Sequence, residues 1–330
     1  MATGGTPHIL TIGAATRDVF VQSEGFLKMA DRTAPDGFDT CLPSGAKIAV
    51  EQIVFETGGG ATNAAVTFSR FGLRTACVCR VGDDANGREV AARLVKEKVN
   101  VSAIQTDEER QTGYSTILIA GSGERTILVY RGASSHVDAS AIPWKTLAPD
   151  WIYLTSLGGD EKALTRIFAE AKRRSIRIIW NPGNNELAFG LKKVGAWIEQ
   201  CDILNLNREE AAALTDLPPR DLKGIIHTLS TLPRRALIVT DGAHGAYLSA
   251  HGSNWFAPAL PAKRVNTTGA GDAFGSAFAA AAIKTGELEI GLRAGMLNAT
   301  GVVTHMGAKA GILKRYPTEA ALARVKIKRV

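Results

Sequence analysis

Short apolar runs rich in β-branched residues alternate along this chain with longer stretches of helical period, a pattern that points to a parallel sheet covered by helices. Strand candidates are Ile9–Ile12, Ala76–Val81, Trp151–Leu154, Ile176–Trp180, Ile203–Leu206 and Ala236–Thr240. Helical spacing falls between them at Ala64–Phe71, Gly87–Lys98, Lys162–Arg173, Leu191–Gln200, Glu209–Leu214 and Leu222–Leu229, and later at Gly271–Lys284 and Leu288–His305. The order is βαβα, with right-handed crossovers expected. The chain has 330 residues, 45% of them hydrophobic, which is enough for one large core, and its glycines are spread along the length instead of marking one linker. One α/β domain over residues 1–330 with a small appendage is expected.

Two segments break the rhythm. Asp18–Glu56 and Thr112–Arg131 are extended and turn-rich, and the second reads as a hairpin, Tyr114–Ala120 and Arg125–Tyr130 around Gly121-Ser122-Gly123. Both leave strands of the main sheet, so about 16–57 and 111–132 can pair into a small sheet that acts as a lid. A lid excludes water and strengthens charge interactions beneath it. Such a sheet has two edges and little core, so pairing with a second copy into a homodimer is expected.

The net charge of +7 suits an anionic ligand, and nucleic acid is the first class to weigh. Basic residues are scattered, however, and the one dense run, Arg324-Val325-Lys326-Ile327-Lys328-Arg329, has no interleaved aromatics for base stacking. It reads as a solvated tail, with no nucleic-acid partner. No stretch reaches the roughly 18–20 apolar residues of a membrane span, and Met1-Ala2-Thr3-Gly4-Gly5 lacks a signal-peptide pattern. No membrane partner and a cytoplasmic location are expected. Cys41, Cys77, Cys79 and Cys201 show no paired metal spacing and read as reduced core residues. The histidines, including His136, His244 and His305, never fall into a His-x-x-x-His ligand spacing, so no histidine-bound metal is implied.

The stretch that carries chemistry is Asn266-Thr267-Thr268-Gly269-Ala270-Gly271-Asp272-Ala273-Phe274-Gly275-Ser276-Ala277-Phe278, which opens a helix of small residues. Small residues at a helix start leave backbone N–H groups of Gly269, Ala270, Gly271 and Asp272 bare, forming an anion hole. Donors fixed in advance at that point would stabilise the charge on a phosphoryl group in transit, and Asp272 on the same turn can accept the proton of an attacking hydroxyl. A dinucleotide fingerprint is the competing reading of these glycines, but it needs its Gly-rich turn after the first strand and an acidic residue about 20 positions on. Gly13-Ala14-Ala15-Thr16, after the first strand, lacks that spacing, and no Gly-x-x-x-x-Gly-Lys-Ser/Thr loop is present.

Thr267-Thr268-Gly269-Ala270-Gly271-Asp272-Ala273-Phe274 resembles the C-terminal signature of the PfkB, or ribokinase-like, carbohydrate kinases. A second signature of that family is matched by Gly58-Gly59-Gly60-Ala61-Thr62-Asn63-Ala64-Ala65 with Arg70-Phe71-Gly72, in the expected order. The resemblance covers roughly Ile9 to Gly311. It implies a ribokinase-like three-layer sandwich with a mainly parallel central sheet and a β-sheet lid, and transfer of the γ-phosphate of ATP, with Mg2+, to a hydroxyl of a small molecule.

Residue by residue, the resemblance implies that Asp18, Gly59, Gly60 and Asn63 bind the acceptor. Glycine lets a flat polyol lie against main chain, and a carboxylate accepts from adjacent hydroxyls. Asn207-Arg208-Glu209-Glu210 resembles the family's Asn-x-x-Glu motif, with Asn207 toward ATP and Glu210 toward magnesium through water; its spacing also fits a capping box. Thr240, Gly242 and Gly245 resemble the strand-end segment near nucleotide phosphates, and Asn298 with Thr304-His305-Met306-Gly307-Ala308 resembles the adenine-side helix and loop.

The shared motifs do not choose the acceptor. A sugar phosphate calls for a basic cluster, for which Lys47 and Arg131 are candidates. Thr112-Gly113-Tyr114 and Gly158-Gly159-Asp160 supply no partner cation, so an unphosphorylated sugar is expected, ahead of a nucleoside, a sugar phosphate or an inactive ligand-binding protein on the same fold. Asn266 stands where the commonest family pattern has the aspartate that helps hold a monovalent cation. Without that charge, Asn266 is expected to bond to the turn itself, and potassium dependence is expected to be small.

Overall fold

The structure, a computed structural model, describes residues 6–31, 37–120 and 125–330. Its frame is a nine-stranded sheet. Across it lie, in order, Lys328–Arg329, Ser253–Pro258, Gly245–Ala250, Ala236–Thr240, Ile203–Asn207, Arg177–Trp180, Trp151–Leu154, His8–Ile12 and Arg74–Val78. The strands from Ala236–Thr240 to Arg74–Val78 pair in parallel, and the other three add antiparallel at one edge. The first strand lies inside the sheet, with Arg74–Val78 on one side and Trp151–Leu154 on the other. The winding direction therefore reverses beside it. At such a reversal, loops leave the carboxyl ends of neighbouring strands in opposite directions and open a crevice.

Each face of the sheet carries its own core, giving three layers. On one side Trp180 meets Phe168 edge-on at 5.4 Å and Trp197 at 6.3 Å, between the strands and the helices Glu161–Arg174 and Leu191–Ile198. On the other, Phe68 meets Tyr153 at 5.3 Å beneath the helices Gly60–Arg70, Ala270–Thr285 and Leu288–Val303. The last two helices pack closely because glycine faces backbone: a Cβ on Gly295 would lie 3.0 Å from the Phe274 carbonyl oxygen.

The two irregular segments pair as expected. Thr16–Ser23 lies between Gln52–Gly58, antiparallel, and Gly113–Ala120, parallel, and Arg125–Tyr130 continues the sheet from Gly113–Ala120. The Gly121-Ser122-Gly123 turn and the start at Met1–Gly5 lie outside the described residues.

Three expectations need correction. The Ala76–Val81 strand is two pieces, because the main ladder ends at Val78 and Arg80–Gly82 pairs instead with Gln105–Asp107, where Arg80 meets Asp107 at 2.9 Å. The C-terminal run is no solvated tail: Val325 is fully buried, and Lys328 and Arg329 pair with Phe256 and Trp255 at the sheet edge. Charge on alternate residues hid an edge strand. Cys77, Cys79 and Cys201 are buried free thiols, but Cys41 is partly exposed.

Candidate active site

The motif turn forms as its glycines require. Gly269 has φ of 78°, open to glycine at little cost, and a Cβ there would lie 2.5 Å from the Ala308 Cβ. Ala273 N–H donates to the Gly269 carbonyl at 2.9 Å, which places the N–H groups of Gly271 and Asp272 ahead of the helical ladder. Ala270 N–H instead donates to Thr267 at 3.2 Å, so the expected four-donor hole is narrower by at least that group. Asn266 does accept from Thr268 N–H through its Oδ1 at 2.6 Å and braces the turn.

A cleft of about 580 Å3 opens from this helix start. Asn207, Thr240, Gly242 and Gly245 line it together with Ala270 and Gly271. Three segments far apart in the chain thus meet beyond the carboxyl ends of the adjacent strands Ile203–Asn207 and Ala236–Thr240. Glu210 and Asn298 do not line it. Asn207 and Glu210 form a reciprocal cap, Glu210 N–H donating to Asn207 Oδ1 and Asn207 N–H to Glu210 Oε2, both at 2.8 Å. Burial pushes the Glu210 carboxyl above its usual range, with the charges of Asp272 and Glu209 adding to the rise. Asn298 is fully buried: its amide donates to the Ala273 carbonyl at 2.9 Å and accepts from Leu313 N–H at 2.9 Å. It ties the two long helices to the C-terminal loop, while its neighbours Ala299 and Thr300 face the cleft. The small-residue face of that helix gave no sign of which side Asn298 takes.

The expected acceptor residues gather on the other side of Asp272. Asn63, on the helix Gly60–Arg70, donates through Nδ2 to Asp272 Oδ2 at 2.8 Å. Asp18 sits in the small-sheet strand Thr16–Ser23 opposite Glu56 and Ser115, and its Oδ1 accepts from Thr16 Oγ1 at 2.8 Å. Glycine is demanded between them: a Cβ on Gly58 would fall 1.9 Å from Asp18 Oδ2, and one on Gly59, with φ of 92°, would fall 2.4 Å from the Ala14 carbonyl oxygen. Gly60 is less tightly held, with 2.9 Å from the same added atom to Thr155. Burial raises the carboxyls of both Asp272 and Asp18; the Asn63 bond and the Lys309 charge pull Asp272 back, and Thr16 and Lys309 pull back Asp18.

Lys309 is the residue that sequence reasoning missed. It is fully buried, with Nζ bonded to the Thr57 carbonyl, to Thr62 Oγ1 at 2.8 Å and to Asn63 Oδ1 at 2.7 Å. The one available signal was its place directly after Gly307-Ala308; a lysine in a loop otherwise reads as solvated. Among the described residues no three His, Cys, Asp or Glu side chains gather as a metal cage, and no helix is long and apolar enough to cross a membrane.

Residues 9–315 match the pfkB family carbohydrate kinase description. The chain belongs to the pfkB family of carbohydrate kinases, phosphotransferases with an alcohol group as acceptor. The ribokinase of Bacillus subtilis (strain 168) is 27% identical over 318 residues, covering 96% of this chain and 99% of that protein. The structure of Arabidopsis thaliana ribokinase complexed with ribose and ATP matches with a TM-score of 0.74 at 20% identity, over 97% of this chain and 98% of that one. Burkholderia thailandensis nucleoside kinase in complex with inosine matches at 0.73 and 19% identity, over 96% and 95%. At these identities the two structures establish the ribokinase fold.

Proposed function

We propose that this protein transfers the γ-phosphate of ATP to a hydroxyl of a small unphosphorylated sugar, with Asp272 as the base that takes the hydroxyl proton. The observation that carries this is the position of Asp272. It shares a helix start with Ala270 and Gly271, which line the cleft, and is hydrogen-bonded to Asn63 at 2.8 Å on the opposite side. ATP would lie in the cleft with its phosphates toward Thr240, Gly242, Gly245 and the helix start, and the acceptor between Asp18, Asn63 and Asp272. The hydroxyl oxygen would attack the γ-phosphorus as its bond to the β,γ-bridging oxygen breaks and ADP leaves; the hydroxyl proton would pass to Asp272, and the N–H groups of Gly271 and Asp272 would stabilise charge on the equatorial oxygens. Magnesium would be held by phosphate oxygens and water; Glu210 lies outside the cleft lining with Oε2 accepting from Asn207 N–H, so only its Oε1 would be left to accept from a magnesium-bound water.

The relatives include kinases described with ribose and with inosine, which supports a sugar or nucleoside acceptor. Lys47 and Arg131 are both exposed, which favours an acceptor without a second phosphate. ADP release from magnesium-ATP, followed across pentoses, hexoses, nucleosides and sugar phosphates, tests the assignment. A sugar is expected to give the highest kcat/KM, with similar rates in potassium and tetramethylammonium buffers of equal ionic strength. Release with none of them would leave a ligand-binding protein.

The lid is proposed to pair with a second copy. Its strands expose Ile53, Phe55, Ile127, Leu128, Val129 and Tyr130, each at least 40% accessible. An apolar surface of that kind on an element with little core is suited to burial against its own copy. Light scattering at micromolar concentration is expected to give twice the chain mass; a monomer would refute the pairing.

A further inference from the structure

An ammonium has three N–H donors and no lone pair. All three donors of Lys309 are used, by the Thr57 carbonyl, Thr62 Oγ1 and Asn63 Oδ1, so it keeps none for a substrate. Its effect on Asn63 is directional. A group that can only donate must face the amide oxygen, and this turns Nδ2 of Asn63 toward Asp272 Oδ2. We propose that Lys309 is a positioning residue: on the reading of Asp272 as the base, its ammonium sets the orientation of the Asn63 amide and thereby keeps the Asp272 carboxylate ionised and aimed.

Holding up a loop would not need a charge, since a buried ammonium is costly and an apolar chain of similar length could fill the space. The cost is visible in the group itself: burial pulls the Lys309 pKa down to about 8, against the opposing charges of Asp18, Glu56 and Asp272, while Arg93 adds to the lowering. Asp18 and Glu56 come from paired lid strands and Asp272 from the motif helix. Arg93 comes from the helix Ala85–Lys96, which Glu97 caps. Lys309 also acts on Glu97 and on the buried thiols Cys77 and Cys79.

When Lys309 loses its proton, a lone pair replaces one of its three donors. The Thr57 carbonyl has no hydrogen to offer that lone pair and the Thr62 hydroxyl already donates to the Gly58 carbonyl, so on this reading the Asn63 amide, which can turn an N–H toward it, is the partner freed. If Asn63 then turned its oxygen toward Asp272, two acceptors would face each other, and only a protonated Asp272 could tolerate that. Protonated, it is no base. The rate should therefore fall on the alkaline side as Lys309 deprotonates and on the acid side as Asp272 protonates.

The test compares the full chain with Lys309→Met and Lys309→Arg. The Asp272 carboxyl is titrated by carbon-13 NMR, its signal assigned by its loss in Asp272→Asn, and kcat is measured against pH. In Lys309→Met the Asp272 midpoint is expected to rise by about one unit or more, as loss of a nearby opposite charge requires. The alkaline limb near pH 8 should vanish, and kcat at neutral pH should drop about tenfold or more with the KM for ATP little changed. Lys309→Arg should restore part of the shift. An unchanged Asp272 midpoint in folded Lys309→Met would overturn the positioning role. Should that variant fail to fold, the wild-type alkaline limb must coincide with the titration of the Lys309 carbon-13 ε signal, and a separate midpoint overturns the role equally. A raised Asp272 midpoint together with an active Asp272→Asn would support the Lys309–Asn63–Asp272 coupling and remove Asp272 from catalysis.

Discussion

Asp272→Asn is expected to lower kcat by about 10²- to 10⁴-fold, the usual contribution of a general base, with ATP affinity nearly unchanged. The substitution removes the proton acceptor and keeps both backbone N–H donors of the helix start. It should not cost stability. Burial raises the Asp272 pKa above its unfolded value, so the folded state binds the proton more readily, and stability falls as pH rises from the ordinary carboxylate value through the raised one. Above that window the carboxylate costs stability, and a neutral amide in its place leaves the melting temperature at neutral pH equal or higher. A coupled ADP assay beside a thermal melt checks both: turnover within about threefold of wild type would exclude the base role.

Asp18→Ala should lower kcat/KM for the acceptor by about 10- to 100-fold, as loss of charge-assisted bonds to hydroxyls worth roughly 1.5–3 kcal/mol implies. ATP binding, on the other side of Asp272, should change little. Asn63→Ala should differ from it in kind. Its amide bonds Asp272 and Lys309 at once, so its removal should depress kcat as well as acceptor binding. Calorimetric titration of each ligand, with steady-state rates, separates the two; equal losses for ATP and acceptor would show that neither residue belongs to an acceptor site.

Much of the architecture was readable because local pattern and global fold agree. Parallel strands buried on both faces must be apolar throughout, so Ile203–Leu206 and Ala236–Thr240 stand out, and the observed strands fall within a residue of them. The small separate sheet was readable for the opposite reason, as Thr16–Ser23 and Gly113–Ala120 interrupt the helical rhythm. The parallel pairing of those two strands was not. It joins segments far apart in sequence, and nothing local records a partner.

The residues at the site divide along the same line. The sequence by itself determined the glycine turns and the helix start at Asp272, because a left-handed φ at Gly59 or Gly269 and a close approach of backbone admit few side chains. Only the tertiary structure decided what polar side chains do. It turned Asn298 into the core and drew Lys309 beneath Asn63, whereas the Glu210 cap on Asn207 is a local bond that the spacing already allowed. The physical reason is common to Asn298 and Lys309. Hydrophobic period records which surface of a segment leaves water, but a buried polar group is stable only where partners from other segments satisfy it, and those partners are set when the chain folds.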